Sequence, residues 1–276
     1  MPKQQINTEN HNLKLSIQVD LNGLSFCGLN TNANKIVFFK DEHFRKKLNP
    51  EEVLQKIETI FKKENFLQKN FDEVLVLFSN ELYSIVPKTL FKEENASDYL
   101  KFNTKILEND FVAQDYLDRE MVNVYIPFAN INNYFFDIFG EFEYRHCVSV
   151  LAQEFLELNK DQKEGTKVYL NNHTWGYDLV IIKNGKLLFA NSFLCGTKED
   201  FIYYILFTAE QLDLDPNKFE LVLLGHIAQA SEYYKMAYTY VKNISFLDTA
   251  FGFDYEAGNT PPKGYNYYPL FKILQS

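Results

Sequence analysis

The feature that most constrains this chain is a strand, strand, strand, helix, strand pattern that occurs twice. The clearer copy begins with a meander at 167–192, in which short apolar runs are separated by turn residues such as Asn184-Gly185. The earlier copy begins at 15–40 and contains Asn22-Gly23, a favoured two-residue hairpin turn. In each copy a helix and a continuous apolar run follow, and such a run is typical of a strand buried on both faces. The chain is therefore predicted to be two related halves.

The alignment of the two halves depends on element order and length, because their sequence identity is poor. Three pairs of strand positions define it: Val19 with Leu170, Val37 with Leu188, and Leu75 with Leu223. The separation within these pairs stays almost constant across two hairpins, a helix and a strand. Five elements that agree in order are hard to obtain by chance, which favours a duplication.

Helix signals follow both meanders. Asn49 and Pro50 suit the first two positions of a helix, and Thr197 with Asp200 resembles a capping box. The helix after Thr197 is apolar nearly all round, which predicts that it is buried. The tail from residue 258 onward, with Pro261 and Pro262, is predicted to be extended and packed against the body.

Composition excludes several classes of function. The net charge is −9, and a nucleic-acid binder usually carries a basic face. The longest strongly apolar run, 201–209, is too short to span a bilayer, and the polar start has no signal-peptide core. His and Cys residues lack metal-ligand spacing, so no metal site is predicted. We expect a soluble cytoplasmic protein that binds no nucleic acid; the sequence leaves its oligomeric state open.

A three-stranded meander followed by a helix and a parallel strand is the core of the ribonuclease-H-like fold. Two such cores in tandem resemble the actin-like ATPase superfamily, which includes actin, the heat-shock chaperones, sugar kinases and pilus-assembly relatives of actin. The length of the chain and its division into two related halves are also similar to those of a bacterial family of unknown function with this fold. The resemblance covers about residues 13–250 and implies an α/β protein with mixed sheets. We expect one half at 13–158, with an insertion at about 80–145, and the other at 166–276, including the C-terminal tail.

The resemblance also implies where a nucleotide would lie. In that superfamily ATP occupies the cleft between the halves, and the first turn of each half holds phosphate through backbone N–H groups, with an Asp that helps to hold hydrated Mg²⁺. In this chain the first turn offers Asp20, Gly23 and Ser25 but lacks the Gly-Thr pair that admits phosphate. Asp20 also fits a purely structural role at a strand end before a turn.

The second turn departs further from the superfamily pattern. It is predicted to run from Asn171 to Gly176, so that Asn171 stands where an acid is expected, with His173 inside the turn. Trp175, the single tryptophan, is either a cleft wall or an aromatic side chain over the core. A third element, the strand that would contact adenosine, ends at Gly225-His226 without a glycine pair. Asp20, Gly23, Ser25, Asn171, His173, Gly176, Gly225 and His226 are the candidate binding residues.

Three hypotheses follow. The first is a degenerate actin-like protein that has lost the chemistry and serves as a scaffold or binding module for another protein, with no cofactor. The second is an active but diverged ATPase or kinase that uses ATP and Mg²⁺ in the cleft. The third is a protein that binds nucleotide without hydrolysing it. The missing site residues favour the first, which leaves the protein's status as an enzyme open.

Overall fold

The structure is a computed structural model, and it describes residues 12–102, 104–108, 110–118, 120–256 and 264–276. The strands are β1 (Leu13–Asp20), β2 (Gly23–Asn30), β3 (Lys35–His43), β4 (Glu73–Ser79), β5 (Tyr83–Pro87), β6 (Ala113–Tyr116), β7 (Met121–Tyr125), β8 (Glu143–His146), β9 (Thr166–His173), β10 (Gly176–Lys183), β11 (Lys186–Leu194), β12 (Glu220–Gly225), β13 (Asn243–Phe246) and β14 (Asp254–Tyr255). The α-helices are α1 (Pro50–Lys63), α2 (Ala129–Phe139), α3 (Cys147–Leu158), α4 (Lys198–Gln211), α5 (Glu232–Tyr240) and α6 (Tyr268–Lys272). Short 3₁₀ helices cover Asn65–Gln68, Glu93–Tyr99, Gly264–Tyr267 and Ile273–Gln275.

Two sheets with the same internal strand order form the body of the molecule. The first has the order β14-β3-β2-β1-β4-β8 and the second has the order β11-β10-β9-β12-β13. In each sheet the first strand of the meander pairs antiparallel with the second strand and parallel with the strand that follows the helix. The predicted order of strand, strand, strand, helix, strand therefore occurs in both halves.

The turns of the two meanders differ from their sequence-based positions. Asp20 pairs with Gly23, so the first turn is Leu21-Asn22 and not Asn22-Gly23. The side chain of Asp20 accepts the N–H of Asn22 at 2.6 Å, which is the local bond that an Asp before a turn favours. In the second meander the first strand extends further than predicted: β9 continues to His173, so that turn is only Thr174-Trp175.

Capping boxes begin both helices that follow the meanders. At α1 the side chain of Asn49 accepts the N–H of Glu52 at 2.9 Å, and Glu52 accepts the N–H of Asn49 at 3.0 Å. At α4 the same exchange joins Thr197 and Asp200. The prediction that α4 is buried is wrong, because Tyr203 is 56% exposed and Phe207 is 43% exposed. One face of α4 covers the second sheet, and nothing among the described residues covers its other aromatic face.

The inserted segment forms a small third sheet with the order β5-β7-β6. In this sheet β7 is the central strand and pairs antiparallel with both β5 and β6. A 3₁₀ helix at Glu93–Tyr99 lies in the connection between β5 and β6. Because antiparallel pairing needs only the local turn and a partner strand, this sheet forms beside the two main sheets without extending either.

The interior is continuous between the halves. Helix α3 is buried along most of its length, and its apolar side chains contact both the second sheet and the third sheet. The ring of Phe155 stacks on that of Tyr169 with 3.8 Å between centroids. The C-terminal tail also contributes, since β14 pairs with β3 and Leu270 and Phe271 pack against the first sheet. The prediction of an extended tail is wrong for 264–276, which contains two 3₁₀ helices and the short helix α6 buried against the first half, while 258–263 lie outside the described residues.

Candidate functional site

The first turns of the two halves face each other at the carboxyl ends of β1 and β9. Both meanders have eight-residue first strands and two-residue turns. Asp20 therefore corresponds to His173, and Gly23 corresponds to Gly176. The sequence alignment had placed Asn171 opposite the expected acid, which is two residues too early. The residue that corresponds to Asp20 in the second half is thus a histidine.

A direct hydrogen bond joins the two turns. The indole Nε1–H of Trp175 donates to Oδ2 of Asp20 at 2.6 Å. The other oxygen of Asp20 accepts the backbone N–H of Asn22, so both carboxylate oxygens have donors from the protein itself. Burial raises the pKa of Asp20, whereas nearby His173 and the two donors act in the opposite direction. Trp175 is therefore neither only a cleft wall nor only a core aromatic, because it closes the space between the halves.

His173 lies beneath the indole and beside a second buried acid. Its ring centroid is 3.9 Å from that of Trp175, and its Nε2 lies 3.3 Å from Oδ1 of Asp178. That contact is a close electrostatic approach without hydrogen-bond alignment, and neither ring nitrogen has an aligned partner among the described residues. Burial alone would raise the pKa of Asp178, but His173 and the donors Ser192 and Asn171 hold it below its usual value.

Glycines at the site lie against the chain's own backbone. A Cβ atom at Gly176 would lie 1.9 Å from the carbonyl oxygen of Phe193. At Gly225, where φ is +80°, a Cβ would lie 2.1 Å from the carbonyl oxygen of Asn172. These two glycines are thus required for close packing between neighbouring strands. Gly23 differs, since the nearest backbone atom would be 3.0 Å away and the residue lines a cavity.

The other side of the site is a polar cluster that sequence reasoning missed. Asp41 accepts the hydroxyl of Ser25 at 2.8 Å and that of Tyr267 at 2.7 Å, and it lies 2.8 Å from Nε2 of His43. The rings of His43 and His226 meet edge to face at 5.1 Å. Burial and the proximity of His43 lower the pKa of His226. The alternation at the end of β3 that puts Asp41 and His43 two residues apart was the available signal.

Little open space remains between the two turns. A cavity of about 40 Å³ is lined by Asp20, Gly23, Ser25, His173 and His226, among others. A second cavity of about 210 Å³, which also has His173 and His226 in its wall, adjoins Gly176. The first has room for a few water molecules, whereas ligand pockets usually measure about 300–1,000 Å³. Among the residues whose placement is described, no group of three His, Cys, Asp or Glu is arranged to hold a metal ion.

The sequence profile of a family described as "Protein of unknown function (DUF3822)" matches residues 3–244. The chain belongs to this family. No curated protein matches it. The fold of the family member is that of the actin-like ATPases, as two solved structures show. One, from Bacteroides thetaiotaomicron, is a protein with actin-like ATPase fold and unknown function; it is 21% identical, with a TM-score of 0.77, and the match covers 87% of this chain and 92% of that one.

The other structure is a PilM–PilN type IV pilus biogenesis complex, with 11% identity and a TM-score of 0.63 over 95% of this chain and 98% of that one. At these identities the likeness concerns the fold alone, and it agrees with the resemblance to the actin-like superfamily. In the described parts of the chain, every helix is too short or too polar to cross a bilayer.

The structure places the candidate residues of this DUF3822 member in two groups. Asp20, Gly23, Ser25, His173, Gly176 and His226 line the two small cavities. Asn171 instead donates to buried Asp178 at 3.0 Å, and Gly225 packs against Asn172. The convergence of six candidates reflects the duplicated topology, which brings the carboxyl ends of equivalent strands together.

Proposed function

We propose that this protein is a non-catalytic binding module: an actin-like ATPase fold whose nucleotide cleft is closed by its own side chains. The observation that carries the proposal is the 2.6 Å hydrogen bond from Trp175 to Asp20. In the superfamily that the fold resembles, the phosphates of ATP lie between these two turns. Here the indole spans that interval and occupies the carboxylate that would otherwise face hydrated Mg²⁺.

Three further features argue against a bound Mg-ATP. The residue that corresponds to Asp20 in the second half is His173, which cannot replace a carboxylate on Mg²⁺. The space that a Cβ atom of Gly176 would fill is taken by the carbonyl oxygen of Phe193, and a carbonyl oxygen repels a phosphate. The cavity between the turns, about 40 Å³, is far smaller than a nucleotide pocket. We therefore propose that no nucleotide cofactor is used.

A protein partner in the cytoplasm is the complementary part of the proposal. The PilM structure with the same fold is a complex with PilN, which supports a protein-binding use of such a fold. The exposed aromatic residues Tyr203 and Phe207 on α4 support it as well, because solvent-exposed apolar patches mark interaction sites.

A thermal-shift titration with Mg-ATP and Mg-ADP tests the closed cleft. A nucleotide that bound the folded state at fifty times its Kd would stabilise it by about 2 kcal/mol, or about 5 °C for a chain of this size. We expect no shift at millimolar nucleotide and no change in tryptophan emission, since Trp175 is the single tryptophan. A shift that disappears in Asp20→Ala would contradict the proposal and support an active, diverged ATP-binding protein.

A further inference from the structure

A cavity larger than either of the two in the cleft lies elsewhere in the molecule. It is a groove of about 690 Å³ between β5 of the third sheet and β11 of the second sheet. Both strands are sheet edges, because β5 begins the order β5-β7-β6 and β11 begins the order β11-β10-β9-β12-β13. No strand among the described residues pairs with their outer sides. Two unpaired strand edges therefore border one groove.

The groove has defined ends and a defined direction. At one end the hydroxyl groups of Tyr83 and Ser192 are 3.0 Å apart. At the other, Lys186 is 3.4 Å from Glu120, whose backbone carbonyl accepts the N–H of Lys88 just after β5. The start of β5 thus lies at the end of β11, and the two strands run antiparallel. The stretch 186–192 gives the groove a length of about 20 Å.

Strand parity identifies the backbone groups that face the groove. The turn Thr174-Trp175 closes a two-residue hairpin, so the flanking pair Gly176 and His173 exchanges hydrogen bonds. Along β10 the even-numbered residues then bond to β9 and the odd-numbered ones to β11. Their partners on β11 are likewise odd-numbered. The N–H and C=O groups of Ala190 and Ser192 consequently point to the open edge, where they template another strand.

Apolar side chains complete the surface beside that edge. Leu194 on β11 is 55% exposed, and Tyr203 and Phe207 on the adjoining helix α4 stack with 5.7 Å between ring centroids. Tyr204 of the same helix stacks on Phe193 of β11 at 4.9 Å, which joins the helix patch to the strand edge. An edge strand with exposed apolar neighbours is a typical site of strand addition, in which backbone bonds supply affinity and side-chain contacts supply specificity.

The shape and charge of the groove decide between possible occupants. A symmetric pairing of β11 with the β11 of a second copy would have to displace the wall that β5 and Met121 form on the other side of the groove. The segment 1–11 has too few apolar residues to alternate in a strand, and 257–263 contains two prolines. Glu81 is the one charged side chain among the described residues that line the groove, and Lys47 already pairs with it at 2.8 Å, so the lining is close to neutral. The whole chain carries a net charge of −9, and this charge attracts a basic segment over a longer range. These features fit an extended, basic segment of another protein.

We propose that the groove between β5 and β11 binds an extended segment of about seven residues from a partner protein, with alternating apolar side chains and a net positive charge. The segment pairs with the open edge of β11 through Ala190 and Ser192. Because β5 and β11 run antiparallel, it is parallel to one wall and antiparallel to the other. The inference rests on the proposed role as a binding module and names its surface.

The test uses the full chain as bait for a library of nine-residue peptides displayed on phage. The best peptide is synthesised with a fluorescent label, and its affinity is measured by anisotropy. We expect an alternating apolar and basic consensus. Leu194→Lys should weaken binding about tenfold or more, because it removes an apolar contact and adds a like charge beside the basic peptide. Leu158→Lys is the matched control, since Leu158 is 54% exposed and does not line the groove.

Hydrogen exchange supplies a second readout that does not depend on a substitution. On binding, the amides of Ala190 and Ser192 should become protected, since they gain partners only if a strand adds to β11. The inference is overturned if no selected peptide binds more tightly than about 1 mM, if both Lys variants weaken binding equally, or if those amides stay unprotected. A dimer that Leu194→Lys dissociates would also overturn it, by assigning the edge to a second copy. The nucleotide titration tests only the closed cleft, so its result does not depend on whether a peptide binds the groove.

Discussion

The hydrogen bond between Trp175 and Asp20 can be measured as a coupling free energy. Trp175→Phe keeps an aromatic ring against His173 but removes the donor, and leaves Oδ2 of Asp20 without its 2.6 Å partner. A hydrogen bond to a charged group contributes about 1.5–3 kcal/mol. Asp20 keeps the N–H of Asn22 in this variant, so we expect a loss of about 1.5 kcal/mol in unfolding free energy, near the lower limit.

The assay is a double-mutant cycle of the wild type, Trp175→Phe, Asp20→Ala and the combined variant. Urea unfolding is followed by far-UV and near-UV circular dichroism, because two of the four proteins lack the single tryptophan. Coincident transitions from the two signals justify a two-state analysis. Asp20→Ala alone also loses the bond to Asn22, but that loss is common to both arms of the cycle and cancels.

The expected coupling free energy is about 1–2 kcal/mol. Non-interacting sites give values within about 0.5 kcal/mol of zero. A coupling in that range would refute the reasoning, because the indole and the carboxylate would then contribute independently and the cleft would have no closing contact. Asp20→Asn is the control that retains an acceptor oxygen, and it should preserve part of the coupling.

Three other predictions concern the fold around the site. Gly225→Ala should lower the unfolding free energy by about 3 kcal/mol or more, because it combines a positive φ with a clash against the backbone. Gly140→Ala, at a similar φ in open space, should lower it by only about 1–2 kcal/mol. Equal losses in urea unfolding would show that the clash is absent. Burial lowers the pKa of His146 to about 4, so its contribution to stability is present above pH 6.5 and is lost as pH falls toward 4, by about 3 kcal/mol. Unfolding free energies between pH 7 and 4 should therefore fall less steeply in His146→Gln, and identical slopes would contradict this. Asn49→Ala should cost about 1 kcal/mol through loss of the capping box, while Asn49→Asp should retain stability in thermal melts.

Local signals predicted most of the fold. The alternation in each meander, the turn residues and the capping boxes act over a few residues, so the pattern predicted the strands and helices of both halves. The position of the first turn could not be predicted as well, because Asn22-Gly23 and Leu21-Asn22 are both suitable turns and only the pairing of β1 with β2 selects one of them. In the second half the sequence placed a turn from Asn171 onward, whereas β9 continues to His173, and this difference made Asn171 and not His173 the predicted counterpart of Asp20.

The candidate site shows the same limit at longer range. The sequence selected Asp20, His173 and His226, since duplicated topology brings equivalent strand ends together. It did not predict the contact between Asp20 and Trp175, which lie 155 residues apart and meet only because the two sheets pack against α3. Asp41 and its partner Tyr267 were missed for the same reason, since the tail returns to the first half.

By itself, the sequence determined the order of the elements that build the two meanders and their following helices and strands, the duplication, and the departures of the two turns from the superfamily pattern. These depend on periodicity, turn chemistry and residue identity, which are properties of short stretches. Only the tertiary structure decided which surfaces are covered: Trp175 of one turn bonds to Asp20 of the other, while no described residue covers the aromatic face of α4 or pairs with the outer edge of β11. An apolar residue has the same character whether or not another element covers it, so the packing of distant segments determines where this chain can bind.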